Sequence, residues 1–210
     1  MTNNTNPLEE WNRLERENTE NAIVSSMFHA GIKTSSAIDE FSTWLLVGSA
    51  AIGAFLIGSA DKLIPIICKT GFVVCGSFLC LSCLFGLISK IYGLLCRVGL
   101  DVNDAVTETF HQHLKMHSEV EGEIQETAKT SGITIETGIR LERIMSEFLS
   151  PMPPLIKWMV NRQQKKNKGN PQAGYFLLVK RFNKQGLCAL LQSSAFLAFM
   201  VSGVFYAAQS

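Results

Sequence analysis

Three histidines fall within seven residues of one another in the stretch FHQHLKMHSEVE: His111, His113 and His117. His113 and His117 are four apart, hence on one face of a helix, and Glu121 follows one turn later. Two imidazoles and a carboxylate at that spacing are the usual start of a zinc-type site, so His113, His117 and Glu121 are the candidate metal ligands. No fourth ligand has an evident source. The pattern therefore reads as a polar, partly exposed helix face, and no bound metal is expected. Catalytic motifs are missing as well: there is no phosphate-binding GxxxxGK[ST] loop, no GxSxG, no HExxH and no RxxxxH pair. Catalysis needs a nucleophile, a base or a metal that can be named, and the expectation is a protein that is not an enzyme and carries no cofactor.

The six cysteines point away from redox or metal chemistry. Cys68, Cys75, Cys80 and Cys83 lie in or beside one apolar run, with Cys96 at its end and Cys188 near the start of another. The one CxxC, Cys80 to Cys83, has no second knuckle to complete a zinc site and sits in sequence of bilayer depth. These thiols read as small apolar packing residues.

A third group of residues suits a charged surface. In LIKWMVNRQQKKNKG the first half is apolar and the second basic, after a proline-rich break. Trp158, Arg162, Lys165, Lys166 and Lys168 are the lipid-interface candidates, since a helix of this kind can lie along anionic headgroups at about 1 kcal/mol per basic residue. Without interleaved aromatics to stack bases, direct nucleic-acid binding is the less favoured reading.

The elements that carry these residues follow from charge placement. The chain has 210 residues, 47% of them apolar, and its mean hydropathy is slightly above zero, as expected for a mosaic of membrane and soluble parts. No Asp, Glu, Lys or Arg occurs between Lys69 and Lys90, and none follows Lys184. Runs of 20 residues or more reach across a hydrocarbon core of about 30 Å. Together with FSTWLLVGSAAIGAFLIGSADK they give three candidate spans, 41–60, 70–95 and 187–208. A soluble domain of this size would lack the amphipathic surface to bury three such helices. About 40 polar residues precede the first span, five of the first 20 being Glu, so it does not read as a cleaved signal.

Residues 90–184 carry 14 of the 19 basic side chains, including Lys90, Arg97, Lys180, Arg181 and Lys184 beside the spans. The positive-inside rule makes this segment cytoplasmic and the short turn around Lys62 and Lys69 external, with the N-terminus inside and the C-terminus outside. The expected organisation is a cytoplasmic amphipathic segment, 1–40, a transmembrane hairpin, 41–96, a cytoplasmic helical region, 97–185, and a third transmembrane helix, 186–210. Helix signals fill the polar parts: a helix from Pro7 to about Ile32; another capped by Asp101 or Asn103 and running past Ala128; and a third through Ile139, Ile144, Met145 and Phe148, ended by SPMPP. No run alternates as a strand does, and the fold class is all-α.

Helices in lipid associate where small side chains let backbones approach. Ala50, Ala54 and Gly58, flanked by Ser49 and Gly53, form such a stripe on the first span, and Ser194, Ala198 and Ser202 form one on the third. Both stripes suit packing of the three helices within one chain; the small residues of the first span exceed what a single neighbour requires, which leaves contact between subunits of a homo-oligomer as the other reading. Thr43, Ser49, Ser59, Ser193, Ser194 and Ser202 supply hydroxyls from which a gate could be built, although no span carries a stripe of ionisable groups.

An amphipathic helix running into FSTWLLVGSAAIGAFLIGS, with a short outer turn and a helical cytoplasmic region, resembles small bacterial membrane effectors of antiviral defence. The nearest comparisons are the transmembrane accessory protein of type VI-B CRISPR systems and the membrane effectors of some retrons. That resemblance implies a multi-pass protein of the bacterial inner membrane, an oligomeric pore that depolarises the infected cell, and a cytoplasmic protein or ribonucleoprotein partner. The alternative class is a membrane-anchored sensor or scaffold whose spans hold a cytoplasmic helical region to recruit a partner.

Overall fold

The computed structural model describes residues 7–130, 132, 140–166, 170 and 172–209. All its elements are helices: α1 (Pro7–Lys33), α2 (Ser35–Gly58), α3 (Ala60–Thr130), α4 (Leu141–Leu149), α5 (Pro154–Lys166) and α6 (Ala173–Ala207). They form two compact units. One comprises residues up to Asp101 together with those from Gly174 onward, and the other runs from Val102 to Ala173.

The first unit holds the three long apolar stretches. The continuous helical path Pro7–Gly58, α3 and α6 are each long and apolar enough to cross a membrane. A single residue, Thr34, separates α1 from α2; its N–H and hydroxyl both bond back to Gly31 O, at 3.2 and 2.7 Å. The reversal after α2 is tight. Ser59 N donates to Phe55 O at 2.9 Å to close α2, and Ser59 O accepts from Lys62 N at 3.0 Å to open α3.

The outer turn expected around Lys62 and Lys69 is therefore itself largely helical. Pro65 lies within α3 and cannot donate to the helix ladder, and three residues later the helix breaks at Cys68, where φ is 53° and ψ is 162°. A side chain in that region of backbone space costs on the order of 1–3 kcal/mol. Cys68 Sγ also accepts the N–H of Gly71 at 3.5 Å, acting as a thiol cap for the long second part of α3.

Beyond the kink, α3 continues to Thr130 without the break expected near Asp101 and Asn103. Both residues lie inside the helix, because no proline falls between Lys69 and Thr130 and the exposed Asp101 carboxylate and half-buried Asn103 amide are tolerated there. α6 likewise begins 14 residues before the apolar run expected from 187, so Lys180, Arg181 and Lys184 are helical. α1 covers the expected N-terminal helix. α4 ends just before Pro151, as the proline-rich break requires, whereas Ile139 lies outside the described residues.

Packing within the first unit follows a seven-residue rhythm. Along the part of α3 in this unit the buried positions are Ile67, Gly71, Cys75, Leu79, Ser82, Gly86, Ser89, Gly93, Cys96 and Leu100, in steps of four up to Leu79 and of three and four in turn beyond it. From Leu79 to Leu100 that alternation averages 3.5 residues per turn and keeps one seam facing its partners, the spacing that suits a left-handed supercoil. α2 buries Ser35, Ser42 and Ser49, and α6 buries Leu178, Gln185, Ala189, Gln192 and Ala195. At one end an apolar cluster of Ile32, Cys96, Leu100 and Leu178 closes the seam, backed by Tyr175, Val179 and Phe182.

Candidate functional site

The seam is polar in the middle of apolar helices. Gln185 and Gln192, one heptad apart on α6, are fully buried. Each forms two bonds to one serine of α2. Ser35 Oγ donates to Gln185 Oε1 at 2.5 Å, while Gln185 Nε2 donates back to Ser35 O at 3.0 Å. Ser42 and Gln192 repeat the arrangement: the Ser42 hydroxyl donates to Gln192 Oε1 and Gln192 Nε2 donates to Ser42 O at 3.1 Å.

α3 completes both layers with hydroxyls. Ser89 Oγ donates to Gln185 O at 3.2 Å and Ser82 Oγ to Gln192 O at 3.1 Å, with Ser49 Oγ 3.4 Å from Ser82 Oγ. Glycine makes the space. A Cβ on Gly86 would lie 2.6 Å from Gln192 Nε2, and one on Gly93 would lie 2.8 Å from Gln185 Nε2. Unpaired amides in hydrocarbon would cost several kcal/mol, whereas a satisfied interhelical bond contributes on average about 0.6 kcal/mol. The layers therefore fix which faces meet, and in which register, more than they add stability.

A charge cluster lies beside the Gln185 layer. Asp39 of α2 has a side chain only 15% exposed; Lys90 Nζ is 3.0 Å from both of its oxygens, with the hydrogen bond to Oδ2, and Arg97 Nη2 is 3.2 Å from Oδ2. Lys90 Nζ also donates to Thr43 Oγ1 at 2.7 Å, and Thr43 accepts this while giving its own proton to Asp39 O at 2.7 Å. A carboxylate at the start of an apolar run is thus held by two cations from the facing helix, the pairing that ionisable groups need near hydrocarbon.

The residues singled out in the sequence divide unevenly over this arrangement. Ser49 is buried in the seam, and a Cβ on Gly53 would lie 3.3 Å from Leu79 Cδ2, so these two face α3. Ala50, Ala54 and Gly58 are exposed on the outside of α2. On α6, Ser194 is exposed while Ala198 and Ser202 are half-buried. The internal contact therefore uses the register next to the expected stripes. Ser193 Oγ bonds to its own helix at Ala189 O, 2.9 Å away. Sequence reasoning missed Gln185, Gln192, Gly86 and Gly93. The signal was present as a seven-residue spacing shared by three helices, where a four-residue spacing was sought.

In the second unit, His117 Nδ1 lies 3.6 Å from Glu121 Oε2, and His113 is exposed. Among the described residues no group of three or more His, Cys, Asp or Glu side chains is placed to hold a metal. On α5, Trp158 is 57% exposed with Arg162 Cζ 5.1 Å from its ring centroid, and Lys165 is exposed. The expected interface residue Lys168 lies outside the described residues, as does the side chain of Lys166.

The class of protein is thereby defined: an all-helical chain with three long apolar helices able to span a membrane. Comparison with protein-family models, with curated proteins and with solved structures finds no match for it.

Proposed function

We propose that the chain is a non-catalytic, multi-pass protein of the bacterial inner membrane in which α2, α3 and α6 form a sealed anchor and residues 102–173 are held in the cytoplasm to engage a partner. The observation that carries this reading is that the buried glutamines and serines inside the anchor satisfy one another. Gln185, Gln192 and their serines bond to one another, and Asp39 is paired with Lys90 and Arg97. Many of the outward positions are aliphatic or aromatic, among them Trp44, Leu84, Leu190 and Val204. A seam that spends its polar groups on itself suits an anchor better than a water-filled path through one chain.

A second reading, a homo-oligomeric channel-like effector that depolarises the cell during antiviral defence, is favoured by one specific feature. Ala50, Ala54 and Gly58 stay exposed on α2, a small-residue face on which another copy could pack closely, so that a path would form between chains. Mass measurement of the detergent-purified protein, combined with dye leakage from liposomes, separates the two. The anchor reading expects no leakage at any oligomeric state; leakage that disappears with Ala54→Leu would replace it by the channel. Gly53→Leu is the packing control, since it strikes Leu79 and should lower stability by about 1–3 kcal/mol under either reading.

A further inference from the structure

We infer that the surface where α3 and α6 meet at the basic end of the three-helix unit binds an anionic phospholipid, with Arg181 and Lys184 taking the headgroup phosphate. The inference rests on the membrane reading above.

The two flanks of α3 differ in charge at this end. On the flank toward α2, Lys90 and Arg97 share Asp39. On the flank toward α6, Arg181 Nη1 donates to Leu95 O at 3.4 Å and Lys184 Nζ lies 5.6 Å from the Tyr92 ring centroid. These contacts tie both cations to neighbouring turns of the same α3 face. Among the described residues no carboxylate pairs with Lys180, Arg181 or Lys184, and α6 has no acidic residue in its first turn.

Two cations held three residues apart beside a membrane-depth surface call for an anion. A guanidinium offers a planar fork that can give paired hydrogen bonds to phosphate oxygens, while the ammonium supplies a point charge. One turn deeper, the same flank turns apolar, with Leu84 and Ile88 on α3 and Cys188 and Leu191 on α6. An anionic head above aliphatic surface is the chemistry of a phospholipid, and basic pockets between spans at the cytoplasmic side are where such headgroups are held.

The test uses the full chain in detergent, titrated with phosphatidylglycerol or phosphatidylcholine at equal mole fraction, with retained lipid counted by native mass spectrometry. Retention of phosphatidylglycerol is expected to exceed that of phosphatidylcholine by roughly thirtyfold, a charge effect of the size two basic residues give. The Arg181→Gln, Lys184→Gln double variant should lose the preference, and the Arg181→Lys, Lys184→Arg exchange should keep it. The Lys115→Gln, Lys129→Gln pair, two exposed lysines of the second unit, should leave it intact. Circular dichroism and gel filtration establish that each variant is folded. No preference in the unsubstituted protein, a preference that survives in the double glutamine variant, or one lost only with the Lys115, Lys129 pair would each overturn the site. Carbonate extraction of the membranes before purification tests the membrane reading separately. Release of the chain there would remove that reading, whereas retention without lipid preference would remove only this one.

Discussion

Gly86 and Gln192 show how a single residue acts through the space it leaves. The far end of a glutamine ordinarily yields to an added methyl group, but here both ends of the amide are buried and bonded to Ser42, so a shift breaks those bonds. Gly86→Ala should destabilise the protein by on the order of 1–3 kcal/mol. Gln192→Ala should cost about 0.6 kcal/mol, up to roughly 1.7, for the lost interhelical bonds. In the double variant the truncated side chain no longer meets the new methyl, so the combined loss should fall short of the sum. Unfolding of all three variants in mixed micelles measures this coupling. Strict additivity would show that Gly86 accommodates something other than Gln192.

At the scale of the element, helices with the same apolar composition take different roles according to the pattern on their faces. α3 keeps small residues in steps of four and three through its buried seam, so it can sit centrally between α2 and α6. α1 buries only Ile32 among its described side chains and depends more on local pairs. Arg13 bridges Glu10 and Glu17, with a bidentate contact to Glu10 at 2.5 and 2.8 Å. The Arg13 hydrogen bond holds the Glu10 carboxyl below the ordinary carboxylate range. A depressed folded-state pKa supports the helix above the unfolded carboxylate pKa, and the support fades as pH falls through the lower folded value. Arg13→Gln should therefore move the Glu10 titration midpoint upward, read by carboxyl carbon NMR shifts in detergent. An unmoved midpoint would mean that the pair does not persist in solution. Because both groups are fully exposed, the effect belongs to the first turns of α1 and not to global stability.

For the whole molecule the decisive quantity is orientation. Basic residues cluster at one end of the spans, with Lys90, Arg97, Lys180, Arg181 and Lys184 all beside the apolar stretches. If all three helices cross, as proposed above, the two ends of the sequence lie on opposite sides. In a Cys68→Ser background, a cysteine at Asn170 should resist a membrane-impermeant thiol reagent in intact cells, while one at Gln209 should label. Labelling at 170 would invert the orientation and move the residue 102–173 unit to the outer face. Equal protection at both sites would mean that α6 does not cross.

The sequence by itself determined the fold class, the three apolar stretches and some helix limits, because these depend on local composition: charge-free runs, prolines and the spacing of polar residues along one helix. The end of α4 before Pro151 and the start of α1 at Pro7 were legible for that reason. The uninterrupted passage of α3 through Asp101 and Asn103 was not, since a residue that can cap a helix is also tolerated inside one. Only the tertiary structure decided which faces meet. Ser42 and Gln192 are 150 residues apart, and the chemistry of each alone says nothing of the other. Their pairing arises because an amide cannot stay unpaired within an apolar bundle, so α6 must present it where α2 offers a serine and α3 a glycine. The same constraint left Ala50, Ala54 and Gly58 outside while drawing Ser49 and Gly53 in, a choice between adjacent helix faces that side-chain size alone does not make.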